Sequence, residues 1–299
     1  MCIRDRVKNL NVKRVLAATF AVCLIAILFA TELNTYTVTK KPEILKPKYI
    51  IDHFVPKSAD VLPKAKPSNP GGGRGKNNED SSVSGGSEIT GQRYAVVIGI
   101  SDYEGTSNDL QYADDDALDW ANYLESLGYE VYLLLDREAT AQAIEDAINW
   151  LLSVEDEPGD AVVFVYSGHG SYDPQYGSMI ISTDLVGITQ SYFDEAFSML
   201  DSQHAFFFFD ACQIGGMEVL ADTEAGRYVA MASNEHSFSY ETSSLQHGVF
   251  TYYFLEDAIK TQGIIYVEQA FDYAVTQIKN TFPQMKPTEA DTYSGDMTL

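Results

Sequence analysis

Two stretches decide the fold: residues 161–170 read AVVFVYSGHG, and residues 205–212 read AFFFFDAC. Each begins with an unbroken apolar run, which is typical of a parallel strand that is buried on both faces. Each run is followed by small, polar and reactive residues, with His169 after the first and Cys212 after the second. Because open parallel sheets carry their sites beyond the carboxyl ends of their strands, the sequence predicts that these two side chains lie at one edge of a sheet.

The same alternation extends outward along the chain. Apolar runs predict further strands at 94–100, 129–135 and 228–233, and a short hairpin strand at 178–182. Helical spacing of apolar residues predicts helices at 114–127, 139–152, 190–200, 248–261 and 267–281. Together these elements predict an α/β fold, a three-layer sandwich with a mostly parallel central sheet of about six strands and helices on both faces.

Three regions differ in composition. Residues 1–31 combine a basic start with an uncharged apolar run at 15–30, which predicts a signal peptide or an N-terminal membrane anchor. The basic flank should stay cytoplasmic, so the rest of the chain is expected to be exported or anchored to the membrane; a buried helix is the alternative. Residues 32–92, rich in Pro, Gly and Ser, are expected to form a linker or prosegment. Residues 93–299 are expected to form the folded domain.

The predicted domain is strongly acidic. Residues 93–299 contain six Lys and Arg against 35 Asp and Glu. Such a surface repels phosphates, so a nucleic-acid partner is excluded, whereas a basic peptide or a divalent cation is favoured. The alternative is a solvated acidic surface that serves solubility.

Cys212 is the single cysteine of this domain, since the other two are Cys2 and Cys23. A lone thiol in an exported domain is a candidate reactive group, although a buried cysteine also serves as a small hydrophobe and His169 alone would be an ordinary loop histidine. Together the two side chains suit thiol catalysis, in which His169 is the base and Cys212 the nucleophile. The N–H groups of Gly170 and Cys212 are then expected to form an oxyanion hole.

Residues 167–170 (SGHG) and 210–213 (DACQ) resemble the histidine and cysteine boxes of caspase-like peptidases, and are most similar to those of metacaspases and bacterial orthocaspases. The resemblance extends over residues 93–299, including the first strand at 93–101 and the stretches at 231–241 and 248–252. It implies the caspase-like fold and a cysteine endopeptidase that uses a Cys-His dyad and needs no cofactor for its chemistry.

The resemblance also implies a specificity. Asp210 stands two positions before the cysteine, as in metacaspases, which cut after Arg or Lys. The resemblance further places Asp116 in the pocket for the basic side chain, with Asp115 as the alternative and Ser167 as a further pocket residue. Peptides or proteins with basic residues are therefore the expected substrates. The alternative for Asp115 and Asp116 is that they are ordinary acids favoured by a helix N-terminus.

Several features stay open at this level. Residues 213–215 (QIG) depart from the family's usual His-Ser-Gly. Ca²⁺ activation is implied by the resemblance, whereas no stretch has the ligand spacing of an EF-hand, so the metal ligands are unknown. Self-processing is expected at the basic residues Arg74, Lys76 and Arg93, and a further cut is expected at Arg227 in a loop at 223–227.

Two other functions compete with this interpretation. One is a catalytically silent caspase-like interaction module that is tethered to a membrane. The other is a flavodoxin-like binding domain, which would need a phosphate-binding glycine loop after the first strand, where acids stand at 102 and 104.

Overall fold

The computed structural model describes residues 38–40, 46–55, 89–222 and 224–299. The strands are β1 Val38–Lys40, β2 Tyr49–Ile51, β3 Arg93–Gly99, β4 Glu130–Leu135, β5 Ala161–Ser167, β6 Gly170–Asp173, β7 Gly177–Ile181, β8 Val186–Thr189, β9 Ala205–Asp210, β10 Arg227–Met231, β11 Tyr240–Thr242, β12 His247–Gly248 and β13 Thr288–Asp291. The helices are α1 Ala113–Ser126, α2 Ala141–Val154, α3 Gln190–Phe197, α4 (Val249–Thr251 followed by the π-helical Tyr252–Thr261) and α5 Val267–Thr281. Short 3₁₀ turns occur at Thr106–Asn108, Asp136–Glu138 and Gly215–Ala221.

The central sheet has six strands in the order β13-β10-β9-β5-β3-β4. All neighbouring pairs in it are parallel except β10 and β13. The middle strand β5 is buried over its whole length, which explains why its sequence is an unbroken apolar run rather than an alternating one. The predicted α/β class and the mostly parallel six-stranded sheet are confirmed.

Side chains from the two faces of this sheet enter two separate cores. Along β5, Val162 and Phe164 belong to the core under α2 and α3, whereas Val163 and Val165 belong to the core under α1, α4 and α5. This alternation follows from the two-residue period of a strand. Helices therefore cover both faces of the sheet, and the third layer that the sequence predicts is present.

Two short strands interrupt the region predicted as a linker. β1 pairs antiparallel with β11, and β2 pairs parallel with β8 at the end of a second, four-stranded sheet in the order β2-β8-β7-β6. Beside β2, Phe54 is 5% exposed and belongs to the core under α2 and α3. Residues 32–37, 41–45 and 56–88, and the signal peptide or anchor predicted at 1–31, lie outside the described residues.

The expected loop position of Arg227 is wrong. Arg227 begins β10 and is 1% exposed, and its guanidinium donates hydrogen bonds to the carbonyl oxygens of Leu220 (3.2 Å) and Phe197 (2.6 Å). It also lies over the ring of Phe207. Burial lowers the pKa of this guanidinium. The loop prediction failed because a buried arginine is uncommon and is stable only where carbonyl groups accept its hydrogen bonds.

Within the described ranges, no helix is both long enough and apolar enough to span a membrane.

Candidate active site

The loops that carry His169 and Cys212 leave two neighbouring strands at the same level. β5 and β9 are parallel, and Ser167 at the end of β5 is the register partner of Asp210 at the end of β9. The Gly168 N–H continues this pairing with a 3.2 Å hydrogen bond to the Asp210 carbonyl oxygen. His169 and Cys212 each lie two residues beyond a register partner, so the topology places them side by side at the carboxyl edge of the sheet.

The imidazole of His169 is fully buried and held in one orientation. Its Nε2 lies 2.7 Å from the carbonyl oxygen of Asn108. Because a carbonyl oxygen can only accept, Nε2 carries the proton in the neutral ring, and the basic lone pair is on Nδ1. The ring also packs against Tyr103, with 4.5 Å between the centroids. The nitrogen of His169 that can accept a proton is therefore Nδ1.

Two buried phenols hold the backbone of His169. Tyr103 Oη accepts a 2.7 Å hydrogen bond from the His169 N–H, and Tyr166 Oη donates a 2.7 Å hydrogen bond to the His169 carbonyl oxygen. Burial raises the pKa of both Tyr103 and Tyr166, so both phenols stay neutral. These contacts place the loop accurately without adding charge beside the imidazole.

Cys212 is 1% exposed, and its Sγ lies 3.6 Å from the carbonyl oxygen of Ser239. The next residue, Gln213, has a φ of +54°, in the left-handed region that non-glycine residues seldom adopt. Such backbone outliers cluster at functional sites, where the surrounding structure holds them in place. β9 ends at Asp210, and the chain turns through Gln213 directly after the thiol.

The two acids expected in the specificity pocket both lie against Gly248. A Cβ atom built on Gly248 would lie 2.2 Å from Oδ2 of Asp210 and 2.7 Å from Oδ2 of Asp116, and both aspartates are fully buried. Asp116 Oδ2 accepts a 2.8 Å hydrogen bond from Ser167 Oγ. The structure therefore brings together three of the four residues expected in this pocket. The fourth, Asp115, is exposed, although it is the immediate neighbour of Asp116.

Further donors to these carboxylates come from residues that the sequence analysis did not single out. Ser239 Oγ donates to Asp210 Oδ1 at 2.5 Å, and the N–H and hydroxyl of Thr251 donate to Asp210 Oδ2 at 3.1 and 3.0 Å. The Gly248 N–H lies 3.1 Å from Asp116 Oδ1. Ser239, Gly248 and Thr251 fall within the stretches of family resemblance at 231–241 and 248–252, and that resemblance was the signal that could have identified them.

The imidazole of His247 lies beside Asp116, one of the two pocket acids. Its Nδ1 lies 3.0 Å from Oδ1 of Asp116, and its Nε2 lies 3.7 Å from Asp119. Burial lowers the pKa of this imidazole, but the hydrogen bond and charge of Asp116, together with Asp119 and Glu256, raise it more, so the pKa is raised overall. Nothing in the sequence around His247 indicated this position.

One group of side chains among the described residues could hold a metal ion: Asp119, His247 and Glu256, whose ligand atoms lie within 4.8 Å of one another. The ammonium of Lys260 already lies against both carboxylates, 3.5 Å from Asp119 and 2.5 Å from Glu256. Calcium takes six to eight oxygen ligands, and this group offers an imidazole and two carboxylates. It therefore does not fit Ca²⁺, and calcium activation stays a prediction.

Gly170, one of the two expected oxyanion donors, lies where the two loops touch. A Cβ atom at this position would lie 2.2 Å from the carbonyl oxygen of Cys212 and 2.9 Å from the Cβ of Ala211. Only a residue without a side chain allows this approach. The oxyanion role of the Gly170 and Cys212 N–H groups stays a prediction.

We expect Gly170→Ala to push the two loops apart. Because a misplacement of about 1 Å can cost about 10²-fold in rate, kcat/KM should fall by about that factor, with about 1–3 kcal/mol lost from the free energy of unfolding. Peptide hydrolysis and urea unfolding measure the two effects. The control is Gly128→Ala, where φ is +88° and no atom lies within 4 Å of the added methyl group; it should lose stability alone. Full activity in Gly170→Ala would contradict the expectation.

Comparison with known proteins agrees with this geometry. A family model described as the caspase domain matches residues 92–293. Metacaspase-1 of Schizosaccharomyces pombe is 33% identical over 129 residues, which are 40% of this chain and 28% of the relative. Metacaspase-1 of Debaryomyces hansenii is 32% identical over 125 residues, 38% of this chain and 26% of the relative. The match thus spans little more than a quarter of these relatives' length.

A solved structure shows the same fold. The crystal structure of a protein from Geobacter sulfurreducens superimposes with a TM-score of 0.55, covering 68% of this chain and 94% of that protein, at 16% identity. At that identity the likeness concerns the fold alone. The caspase-domain model, in contrast, covers more than half of the sequence, including the loops of His169 and Cys212. The chain therefore belongs to the caspase-domain family of cysteine peptidases.

Proposed function

We propose that the protein is a cysteine endopeptidase that uses Cys212 as nucleophile and His169 as base, and that it cuts after Arg or Lys. The observation that carries the proposal is the register of β5 and β9. Ser167 and Asp210 are register partners, His169 and Cys212 each follow two residues later, and Asp210 and Asp116 both lie against Gly248.

The chemistry follows from the orientation of His169. Nδ1 takes the proton of the Cys212 thiol, and the thiolate attacks the carbonyl carbon of the scissile bond. The negative charge that develops on the carbonyl oxygen is stabilised by the N–H groups of Gly170 and Cys212. The imidazolium then protonates the departing amine, which leaves a thioester. Water, deprotonated by the same imidazole, hydrolyses this thioester and frees the thiol.

The preference for a basic side chain rests on Asp116 and Asp210. Two fully buried carboxylates against the same glycine form a site of concentrated negative charge, and a guanidinium can bind two carboxylates through its fork of N–H groups. Aspartate in a substrate would be repelled by the same charges. The overall acidity of residues 93–299 adds a long-range attraction for basic peptides.

The experiment is hydrolysis of fluorogenic peptides that end in Arg, Lys or Asp by the full chain under reducing conditions, with and without Ca²⁺. We expect cleavage after Arg and Lys at a kcat/KM at least about 10²-fold above that after Asp, because the two pocket carboxylates attract one charge and repel the other. Cleavage after Asp would retain the peptidase and overturn the pocket. The absence of any cleavage by folded protein, with or without Ca²⁺, would favour a silent interaction module.

A further inference from the structure

The strand β1 lies on an edge that leads directly to the reactive thiol. β1 pairs antiparallel with β11, with Val38 opposite Thr242, Thr39 opposite Glu241 and Lys40 opposite Tyr240. The residue before β11 is Ser239, whose carbonyl oxygen lies 3.6 Å from Cys212 Sγ. Because the pairing is antiparallel, β1 runs from Thr242 towards Ser239, that is, towards Cys212.

β11 is also paired on the side opposite β1. β12 pairs with β11 there, with Gly248 opposite Glu241. The carboxylate of Glu241 is buried and accepts hydrogen bonds from the N–H groups of Gln111 and Tyr112, at 3.0 and 3.2 Å. The strand that β1 joins is therefore fixed to the start of α1 and to Gly248, against which both pocket acids lie.

An edge strand with free N–H and C=O groups binds extended peptides by adding them as a further strand. On β11, a peptide bound in the direction of β1 would advance towards Cys212 and the pocket of Asp116 and Asp210. The chain itself supplies the segment that pairs with this edge. β1 ends at the basic residue Lys40, and Lys41 follows it in the sequence. Basic residues are those that the acidic pocket is expected to accept.

We propose that β1 occupies in cis the backbone position of an extended substrate, so that the segment around Val38–Lys40 is a built-in competitive inhibitor of the peptidase. The substrate class that it imitates rests on the proposed function. The strand occupancy itself is independent of that function.

Tethering makes this competition effective. A segment that belongs to the same chain is present at its site at an effective concentration of about millimolar, which exceeds ordinary peptide concentrations. In the full chain Cys212 is 1% exposed, and Asp116 and Asp210 are fully buried. A substrate gains the edge of β11 only when β1 leaves it, so the observed affinity is reduced by the fraction of chains in which the edge is free.

The decisive variant is Thr39→Pro in the Cys212→Ala chain, which cannot cut itself. Proline lacks the N–H that a strand uses for pairing, so β1 should leave β11 while the chain stays covalently intact. The matched control is Ser68→Pro, in a stretch that already has proline at 67 and 70. Fluorescence anisotropy of a labelled peptide ending in Arg should show a Kd about 10- to 100-fold lower in Thr39→Pro, as expected when 90–99% of chains are closed, and unchanged in Ser68→Pro.

Hydrogen exchange gives a readout that does not depend on the substrate. The amides of Tyr240–Thr242 should exchange faster in Thr39→Pro than in Ser68→Pro, because those bonded to β1 lose their partners. Equal peptide affinity in both variants, or equal exchange, would overturn the inference. If the variants differ in exchange and bind a peptide ending in Asp as tightly as one ending in Arg, the occupancy stands and the proposed specificity fails.

Discussion

Replacing Cys212 by alanine is expected to lower kcat/KM for a peptide ending in Arg by at least about 10⁴-fold, which is the order of loss when a covalent nucleophile is removed. In the proposed mechanism the thiol forms the thioester, and His169 takes the proton of that thiol. The Cys212→Ala substitution removes only the sulfur atom of one buried side chain, so the fold should persist.

The measurement is peptide hydrolysis by equal amounts of parent and variant, together with their urea unfolding curves. Cys23→Ala provides the matched control, because it removes a thiol from outside the predicted domain and should leave hydrolysis unchanged. A Cys212→Ala protein that cleaves the peptide as well as the parent would remove the basis of the proposed mechanism.

The second large effect is expected at Asp116. Asp116→Asn should lower kcat/KM for peptides ending in Arg or Lys by about 10²-fold or more, because a buried partner of a charged group typically contributes 2–5 kcal/mol to binding. The loss should appear mainly in KM, since the side chain contacts the substrate's charge and not the reacting carbonyl group. A peptide ending in an uncharged residue should lose much less.

The adjacent residue supplies the control for this prediction. Asp115 has the same chemistry and lies in the same first turn of α1, but it is exposed, whereas Asp116 is fully buried between Ser167, His247 and Gly248. Asp115→Asn should therefore change kcat/KM less than about twofold, as expected for an exposed charge. Equal losses in the two variants would mean that the overall acidity, and not the pocket, selects basic peptides.

Long apolar runs made the central sheet predictable. β3, β5 and β9 are buried on both faces, so their sequences contain five or more consecutive apolar residues and could not be confused with loops. β1 and β2 have only three residues each and were missed within a stretch rich in proline. Their pairing depends on β11 and β8, which are distant in the sequence, and three residues carry no detectable period.

The reactive pair was predictable from position, whereas its surroundings were not. Cys212 and His169 end two strands that apolar patterning identifies, and parallel strands end at the same edge. The choice between Asp115 and Asp116 needed the resemblance, because both acids suit a helix N-terminus and a one-residue step turns a helical side chain by about 100°. His247, Ser239 and Thr251 reach the two aspartates through contacts between distant segments, and no local pattern reports such contacts.

The burial of Arg227 affects whether one molecule of this protein can cleave another. A peptidase must draw several residues on each side of a bond into its cleft in extended form, and cleavage of a folded protein occurs at exposed, mobile segments. Arg227 lies in a strand between β9 and β13, with its guanidinium held by two carbonyl groups, so neighbouring molecules could reach it only after the sheet opens. Even an enzyme that prefers arginine would therefore not cut the peptide bond after Arg227 in another folded molecule. The segment from Cys212 to the C-terminus should stay intact at Arg227 in concentrated solutions.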